Sequence, residues 1–381
     1  MPRWHSKDIL PNIITNRKIK KCYETQFEGR MFEMLSIAVK SNKKLELTHT
    51  APPEVGENAV IVKVHYSGLC GSDLPRIFHD GAHFYPIILG HEFSGEIVEV
   101  GSGVNGLELG DRIACAPLVP CCECEQCNKG NYSLCPNYSF VGSRIQGGNA
   151  EYVKVPSQCC FKLGDKVTSQ DGAFFEPLTV SLHPILMAGG CDNKHVVIVG
   201  VGTIGLLAVQ AARALGAKSI CAVDIDNSKL EKAKSMGADL VINSKHEDYK
   251  QVLQQFESSG EPQLILETAG SPITVKLCID VASPKSTIAL IGTLHEDLHL
   301  KFEEFGQILR KELTLLGSWM NYSAPYPGKE WVLAKSLFES GKVNTSDLID
   351  GIYSPDNYIE RVTTLDGKSP SGKILLDWSQ Q

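Results

Sequence analysis

The chain has 381 residues, 43% of them hydrophobic and 21% charged, a balance that builds a folded protein of two or three domains. A formal net charge of -7 argues against a nucleic-acid partner, because phosphates must be met by a basic stripe. No apolar run approaches the roughly 18 residues that span a bilayer, so no membrane partner is expected either.

Residues 1–33 are basic, with Arg17, Lys18, Lys20 and Lys21 close together, and show little periodicity. They read as a disordered leader ahead of Met31 or Met34; a transit peptide is the weaker reading, since Ser and amphipathic Arg spacing are poor. From Met34 short alternating apolar segments follow: 35–39, 59–66, 95–100, 112–117 and 150–155. Turn signals such as Pro52-Pro53 and Gly147-Gly148 separate them, which predicts an irregular, mostly β domain. At His195 the rhythm changes. Strands at 195–199, 219–224, 240–242, 264–268 and 288–292, with helices at 203–215 and 228–236, predict βα units and a doubly wound parallel sheet. A helix at 329–340 and a strand at 373–376 close the chain.

Three sets of residues carry chemistry. Gly200, Gly202 and Gly205 form G-x-G-x-x-G between a strand and a helix, the dinucleotide pattern. The helix start at Thr203 and Ile204 offers free N–H groups to a pyrophosphate. Asp224 ends the next strand, where a carboxylate accepts from a ribose 2′-hydroxyl and repels a 2′-phosphate. Two like charges about 4 Å apart cost about 4 kcal/mol at an effective dielectric near 20. NAD is therefore expected over NADP, with Lys229 a further ribose contact.

The second set is Cys121, Cys124, Cys127 and Cys135, spaced C-x2-C-x2-C-x7-C. Four thiolates on one loop close a tetrahedron around zinc, which leaves no open position and makes the site structural. Cys122 lies off this spacing. Thirteen cysteines, odd in number and with five inside 121–135, fit metal binding in a reducing cytoplasm better than disulfides. The third set is Cys70 in G-L-C-G-S-D, His91 and Glu92 in G-H-E, and Glu176 in F-E-P. Singly, a cysteine or histidine in apolar surroundings usually just packs. Together they supply a thiolate, an imidazole and one or two carboxylates, the ligand format of a catalytic zinc with an open position. Zinc lowers the pKa of bound water from about 15.7 to about 7, and the same polarisation of an alcohol eases hydride departure to a nicotinamide.

In this order the motifs resemble the zinc-containing medium-chain dehydrogenase/reductase superfamily, over residues 34–378. The resemblance implies an α/β protein: a GroES-like, mostly β catalytic domain (34–184 with 322–381) split around a Rossmann NAD-binding domain (185–321). It implies two zinc ions per subunit, with Cys70, His91 and Glu176 as catalytic ligands and Glu92 an alternative or exchanging one. It also implies a homo-oligomer, a dimer being favoured. The stretches SGLCGSDLPRIF (67–78), YPIILGHEFSG (85–95) and ILRKELTLLGSWMNYS (308–323) are similar to the polyol-phosphate dehydrogenases of this superfamily. They imply a phosphorylated polyol as the small-molecule substrate.

Two departures weaken a plain sorbitol dehydrogenase reading. Pro75 stands where that branch typically has a histidine, and Trp319-Met320-Asn321-Tyr322 where it typically has an Arg-Tyr pair. Proton release would then run through Ser72 and water, or through Glu92. Arg144 and Arg76 are the candidate phosphate anchors, Asn321 and Tyr322 the candidate hydroxyl contacts, with core packing equally open for Tyr322. The competing readings are a dehydrogenase for a free polyol or for threonine, a catalytically silent nucleotide binder, and a zinc-ribbon nucleic-acid binder.

Overall fold

The alternating segment at residue 59 becomes the ten-residue strand Ala59–Gly68, and burial of Val60, Val62 and Val64 makes it a central strand. The computed structural model describes residues 33–246, 252, 253, 261 and 263–380, so all of the expected leader but Glu33 lies outside the described residues. Around Ala59–Gly68 a seven-stranded sheet assembles. Glu92–Val100 pairs on one side, followed by Arg112–Cys115 and Cys160–Lys162. On the other side the chain's end returns: Lys373–Asp377 runs antiparallel, with Leu375 opposite Gly68 and Leu376 opposite Ser67. That pairing sets the C-terminal strand beside Leu69 and Cys70. Met34–Ser41, Lys44–Thr50 and Ile87–Ile88 form a smaller sheet.

The second half folds as the βα alternation predicts. Six parallel strands lie in the order Leu240–Asn243, Ser219–Asp224, His195–Val199, Gln263–Glu267, Thr287–Leu290 and Thr314–Gly317. The strand order reverses between His195–Val199 and Gln263–Glu267, and a crevice outside their carboxyl ends is the binding place of such sheets. Glu267 organises that edge. Fully buried, its carboxylate accepts from the N–H groups of Ala269 and Gly270 and from the Thr274 hydroxyl. The sixth strand was not expected: TLLG is short, and three of its four residues are exposed because it is an edge.

Between the two sheets lies the helix Phe175–Met187, packed against Thr203–Ala214 and Lys329–Glu339. Pro177 falls in its first turn, where no intrahelical donor is lost, but Pro184 lies in its interior. Two prolines thus hid a 13-residue helix that tertiary packing holds. Phe175 stacks on Phe338 with ring centroids 5.0 Å apart, and Trp331 is fully buried beside them. One buried polar contact ties the helices: His183 Nδ1 lies 2.7 Å from Glu330 Oε1, and the Ser323 hydroxyl donates to Glu330 Oε2 at 2.6 Å. Among the described residues no helix is long and apolar enough to cross a membrane.

Burial alone would push the Glu330 carboxyl up, but hydrogen bonds from His183 and Ser323 bring it below its ordinary 4.5. A depressed folded pKa contributes stability that is present above the unfolded value and is lost as pH falls through the folded one. Glu330→Ala strands the buried His183 and should cost about 1–3 kcal/mol at neutral pH. In urea titrations the gap to wild type should be full above about pH 4.5 and close as pH drops below it; a gap constant to strong acid would refute this.

Candidate active site

Cys70 follows the end of strand Ala59–Gly68, and His91 immediately precedes the neighbouring strand that Glu92 opens, so sheet pairing brings together residues 21 and 22 positions apart in sequence. The ligand atoms of Cys70, His91 and Glu92 all lie within 4.8 Å of one another. His91 and Glu92 are buried, while Cys70 and Glu176 are half-buried, so the cluster opens on that side. Glu176, in the first turn of Phe175–Met187, stands outside the triplet. Its negative charge nevertheless acts on Cys70, and it feels His91, Glu92 and Lys373. The structure therefore brings Glu92, the expected alternative, nearer to the cysteine and histidine than the expected third ligand.

The electrostatics suit a bound cation. Burial pushes the Cys70 thiol well up, and Glu92 adds to that; burial likewise raises Glu176 to about 7. A thiolate and two carboxylates acting on one another repel unless a positive charge lies among them. Lys373 supplies one. Burial would strip it of its proton, but Glu92 and Cys70 hold its pKa above the ordinary value, and its ammonium pairs with Glu92 and donates to the Leu69 carbonyl at 3.2 Å. One lysine cannot balance three anions, so the donor set fits a divalent ion such as zinc. His91 is aimed for it: Nδ1 faces Asp73 Oδ1 at 3.6 Å, leaving Nε2 free to bind. A carboxylate behind a ligating imidazole fixes its tautomer and raises its basicity.

Asp73 and Lys373 escaped the sequence reading. Asp73 was in view inside G-L-C-G-S-D, three residues after Cys70, with no periodic signal to mark it as buried. Lys373 is 281 residues from Glu92 and carries no local signal at all. Asn321 is a correction. Expected to face substrate, it is fully buried and donates through Nδ2 to the Glu176 carbonyl at 3.1 Å, to Glu176 Oε1 at 3.3 Å and to Thr179. It holds the Glu176 carboxylate in place instead. Tyr322 is also core, accepting from the Leu118 N–H at 3.0 Å. Ser72 is exposed, and its hydroxyl lies 3.3 Å from Cys70 Sγ, as a relay from the cluster to water requires.

The four cysteines of the lobe converge as well, their sulfurs all within 4.8 Å. Backbone N–H groups of Glu123 and Cys124 hold the Cys121 thiol down to about 7, the thiolate form a metal needs. Cys122 has a positive φ of 60° and turns its exposed sulfur towards Gln158, outside the set. The lobe does not hang free. Tyr132 meets Tyr326 edge-on at 5.3 Å, Tyr326 stacks on Tyr322 at 5.5 Å, and Tyr322 on Trp331 at 6.1 Å.

At the other side of the crevice, Gly200 has φ 89° and passes so close to Ala269 that a Cβ would sit 2.8 Å from the Ala269 Cβ. A Cβ on Gly205 would strike the Gly200 carbonyl at 2.0 Å, whereas nothing lies within 4 Å of one on Gly202. Open space at the second glycine is where a pyrophosphate approaches. Helix Thr203–Ala214 has no side-chain cap, so its first N–H groups are free for that anion. Asp224 accepts from Val201 N–H at 2.8 Å and from Ile225 N–H at 2.7 Å, which steadies the loop and turns the carboxylate to its rim. Lys229, half-buried in the next helix, bears on Asp226.

Known proteins share this architecture. The alcohol dehydrogenase GroES-like domain matches residues 56–165, and the zinc-binding dehydrogenase domain matches 203–335. Galactitol 1-phosphate 5-dehydrogenase of Escherichia coli is 49% identical over 344 residues, 90% of this chain and 99% of that one. The crystal structure of galactitol-1-phosphate dehydrogenase from Escherichia coli superposes with a TM-score of 0.88, covering 90% of this chain and 100% of that chain. L-threonine 3-dehydrogenase of Alteromonas mediterranea is 29% identical over 90% of this chain and 98% of its own. An alcohol dehydrogenase of Escherichia coli crystallised with NADH is 28% identical, with a TM-score of 0.80 over 91% of this chain and 99% of that one. The chain belongs to the zinc-containing medium-chain dehydrogenase/reductase superfamily. It is a zinc- and NAD-dependent alcohol dehydrogenase in the broad sense of that family.

Cys124→Ser removes one thiolate of the lobe, which is distant in role from the open cluster. Thermal unfolding should begin several degrees lower, and bound zinc by atomic absorption should fall by one ion per chain. Unchanged stability with selective loss of turnover would overturn the structural role of the lobe.

Proposed function

We propose that the protein oxidises galactitol 1-phosphate at C5 to tagatose 6-phosphate, with NAD as hydride acceptor. The observation that carries this reading is the 49% identity, along nearly its whole length, to a dehydrogenase of that name. Weaker similarity to a threonine dehydrogenase fits a shared scaffold with a different substrate.

Cys70 and His91, with Glu176 or Glu92, would hold a zinc ion, and Cys121, Cys124, Cys127 and Cys135 a second. When bound, the first zinc supplies Lewis-acid polarisation of the substrate hydroxyl, and NAD accepts the hydride. The chain's own residues do the rest. Asp73 orients the His91 ring, while Lys373 offsets the charge of Glu92, a carboxylate that would be available as an alternative ligand. Asn321 fixes Glu176 from behind. Ser72, exposed and beside Cys70, passes the hydroxyl proton out to water. Gly200, Gly202, Gly205, Thr203 and Ile204 receive the pyrophosphate, and Asp224, with Lys229 close by, receives the adenosine ribose. We take 34–184 with 322–381 as the catalytic unit and 185–321 as the nucleotide-binding unit.

The same reading includes a homodimer acting in the cytoplasm. Phe302, Phe305 and Leu309 lie on one face of helix Phe302–Arg310 and are 81%, 52% and 64% exposed. Beside them the edge strand Thr314–Gly317 presents Leu315 and a row of unpaired backbone groups. A second copy related by a two-fold axis covers both at once. The cysteines of the lobe and of the open cluster are not engaged in disulfides, in keeping with a reducing compartment.

Purified enzyme should reduce NAD with galactitol 1-phosphate at a far higher kcat/KM than with galactitol, sorbitol or threonine; better turnover of a free polyol would refute the substrate. Cys70→Ser should abolish turnover while NAD binding, by calorimetry, is retained. Sedimentation should give twice the chain mass, and Leu309→Glu should shift it towards the monomer; a wild-type monomer at micromolar concentration would sink the dimer.

A further inference from the structure

Two arginines from separate stretches flank the Cys70 cluster: Arg76 through Ser72, and Arg144 on the turn whose Phe140 ring meets His91 edge-on at 5.6 Å. Arg76, on helix Asp73–Phe78, reaches back over its own first turn: Nη1 donates to the Ser72 carbonyl and to the Ser72 hydroxyl at 3.0 Å. Because that hydroxyl lies 3.3 Å from Cys70 Sγ, one guanidinium stands a single side chain from a candidate metal ligand. Arg144 belongs to the turn after strand Ser139–Phe140, which is pressed onto the backbone of Gly90. Gly142 and Gly147 leave no room for a Cβ, each of which would meet the Gly90 carbonyl at 2.3 Å. The Arg144 guanidinium is ordered over Tyr138, 4.4 Å from the ring centroid, with Nη2 donating to the Tyr138 hydroxyl at 3.2 Å. His83 is exposed on the loop between them, near enough that, after desolvation, the charges of Arg144 and Arg76 lower its pKa.

Such an arrangement is costly without an anion. Like charges held together repel, and an exposed arginine ordinarily finds a carboxylate. Arg76 has a partial partner in Asp73 Oδ1 at 3.5 Å. Among the described residues Arg144 and His83 have no carboxylate within ion-pair distance. Tyr138 instead holds the Arg144 fork flat without neutralising it, which prepares it for bidentate contact with a phosphate.

We propose that Arg144 and Arg76 form the clamp that receives the phosphate of the substrate, with the exposed His83 beside it. The inference rests on the polyol-phosphate reading above and extends it, placing the phosphate at the mouth of the cluster and the reacting carbon at its depth. Arg144 is the principal anchor because Asp73 offsets part of Arg76. A free polyol brings no charge to the clamp and gains nothing from it, so these residues set specificity without touching the reacting atoms.

The test is the ratio of kcat/KM for galactitol 1-phosphate to that for galactitol, measured on one preparation of the zinc-loaded enzyme so that any loss of folded protein cancels. Arg144→Gln should lower the ratio about 10–100-fold, mainly through KM, the size expected for losing a charge-assisted contact. Arg144→Lys, which keeps the charge and loses the fork, should recover part of it, and Arg76→Gln should lower the ratio by less than Arg144→Gln. A wild-type enzyme that prefers the phosphate ester, with Arg144→Gln keeping that preference, would overturn the clamp alone. A wild type with no such preference would remove the substrate reading and the clamp together.

Discussion

Negative charge gathered in one cluster is the constraint from which the rest of the catalytic half follows. The charges of Cys70, Glu92 and Glu176 act on one another, and burial raises the pKa of Cys70 and Glu176. Each neighbouring feature lowers the cost of ionising them. Lys373 enters from the last strand, His91 is set between the cluster and Asp73, and Arg76 offsets Asp73 from outside. A divalent cation completes the balance, and the same shortage of positive charge that requires it would also strengthen its binding. The sheet topology makes this arrangement possible. By returning to pair with Ala59–Gly68, the chain's end brings Lys373 to Glu92 and to the Leu69 carbonyl, next to a cysteine 303 positions earlier.

The segment 321–331 joins three parts of the molecule that chemistry must keep in register. Asn321 fixes Glu176, Tyr322 and Tyr326 brace the cysteine lobe through their rings, and Ser323 and Glu330 lock His183 on the long helix. A metal staple on the lobe thus bears on the position of Glu176 through a short run of stacked rings. Rigid packing of this kind holds a ligand to the fraction of an ångström that such a site demands.

How much of this could be read in the amino-acid sequence depended on how local each signal is. The glycine loop and the four-cysteine lobe are legible because each is built from one short stretch whose spacing is itself the geometry. Cys70, His91 and Glu176 were legible only as a set, and their ranking was not. Which carboxylate stands nearest Cys70 depends on strand pairing and on the hold of Asn321, neither of which leaves a local mark. Asn321 was misread for the same reason, since a polar side chain beside a candidate cleft looks the same whether it meets substrate or braces a carboxylate. Lys373 was invisible. Helix Phe175–Met187 was masked by Pro177 and Pro184, whose propensity penalty is outweighed by burial of Phe175, Leu178 and Leu182. The edge strand Thr314–Gly317 was masked by its own exposure.

Asp224 has a consequence of another kind. Its carboxylate is the group that would choose between cofactors, and it is also a strut: the N–H groups of Val201, Ile225 and Asp226 all rest on it. Selectivity and scaffolding are therefore not separable traits at this position. A lineage drifting towards a 2′-phosphorylated cofactor could not simply delete the charge, because deletion would orphan three backbone donors at the lip of the glycine loop. It would first have to provide another acceptor there, so the route between the two cofactors runs through a neutral side chain that still accepts hydrogen bonds. The loop's architecture makes the present preference resistant to single substitutions.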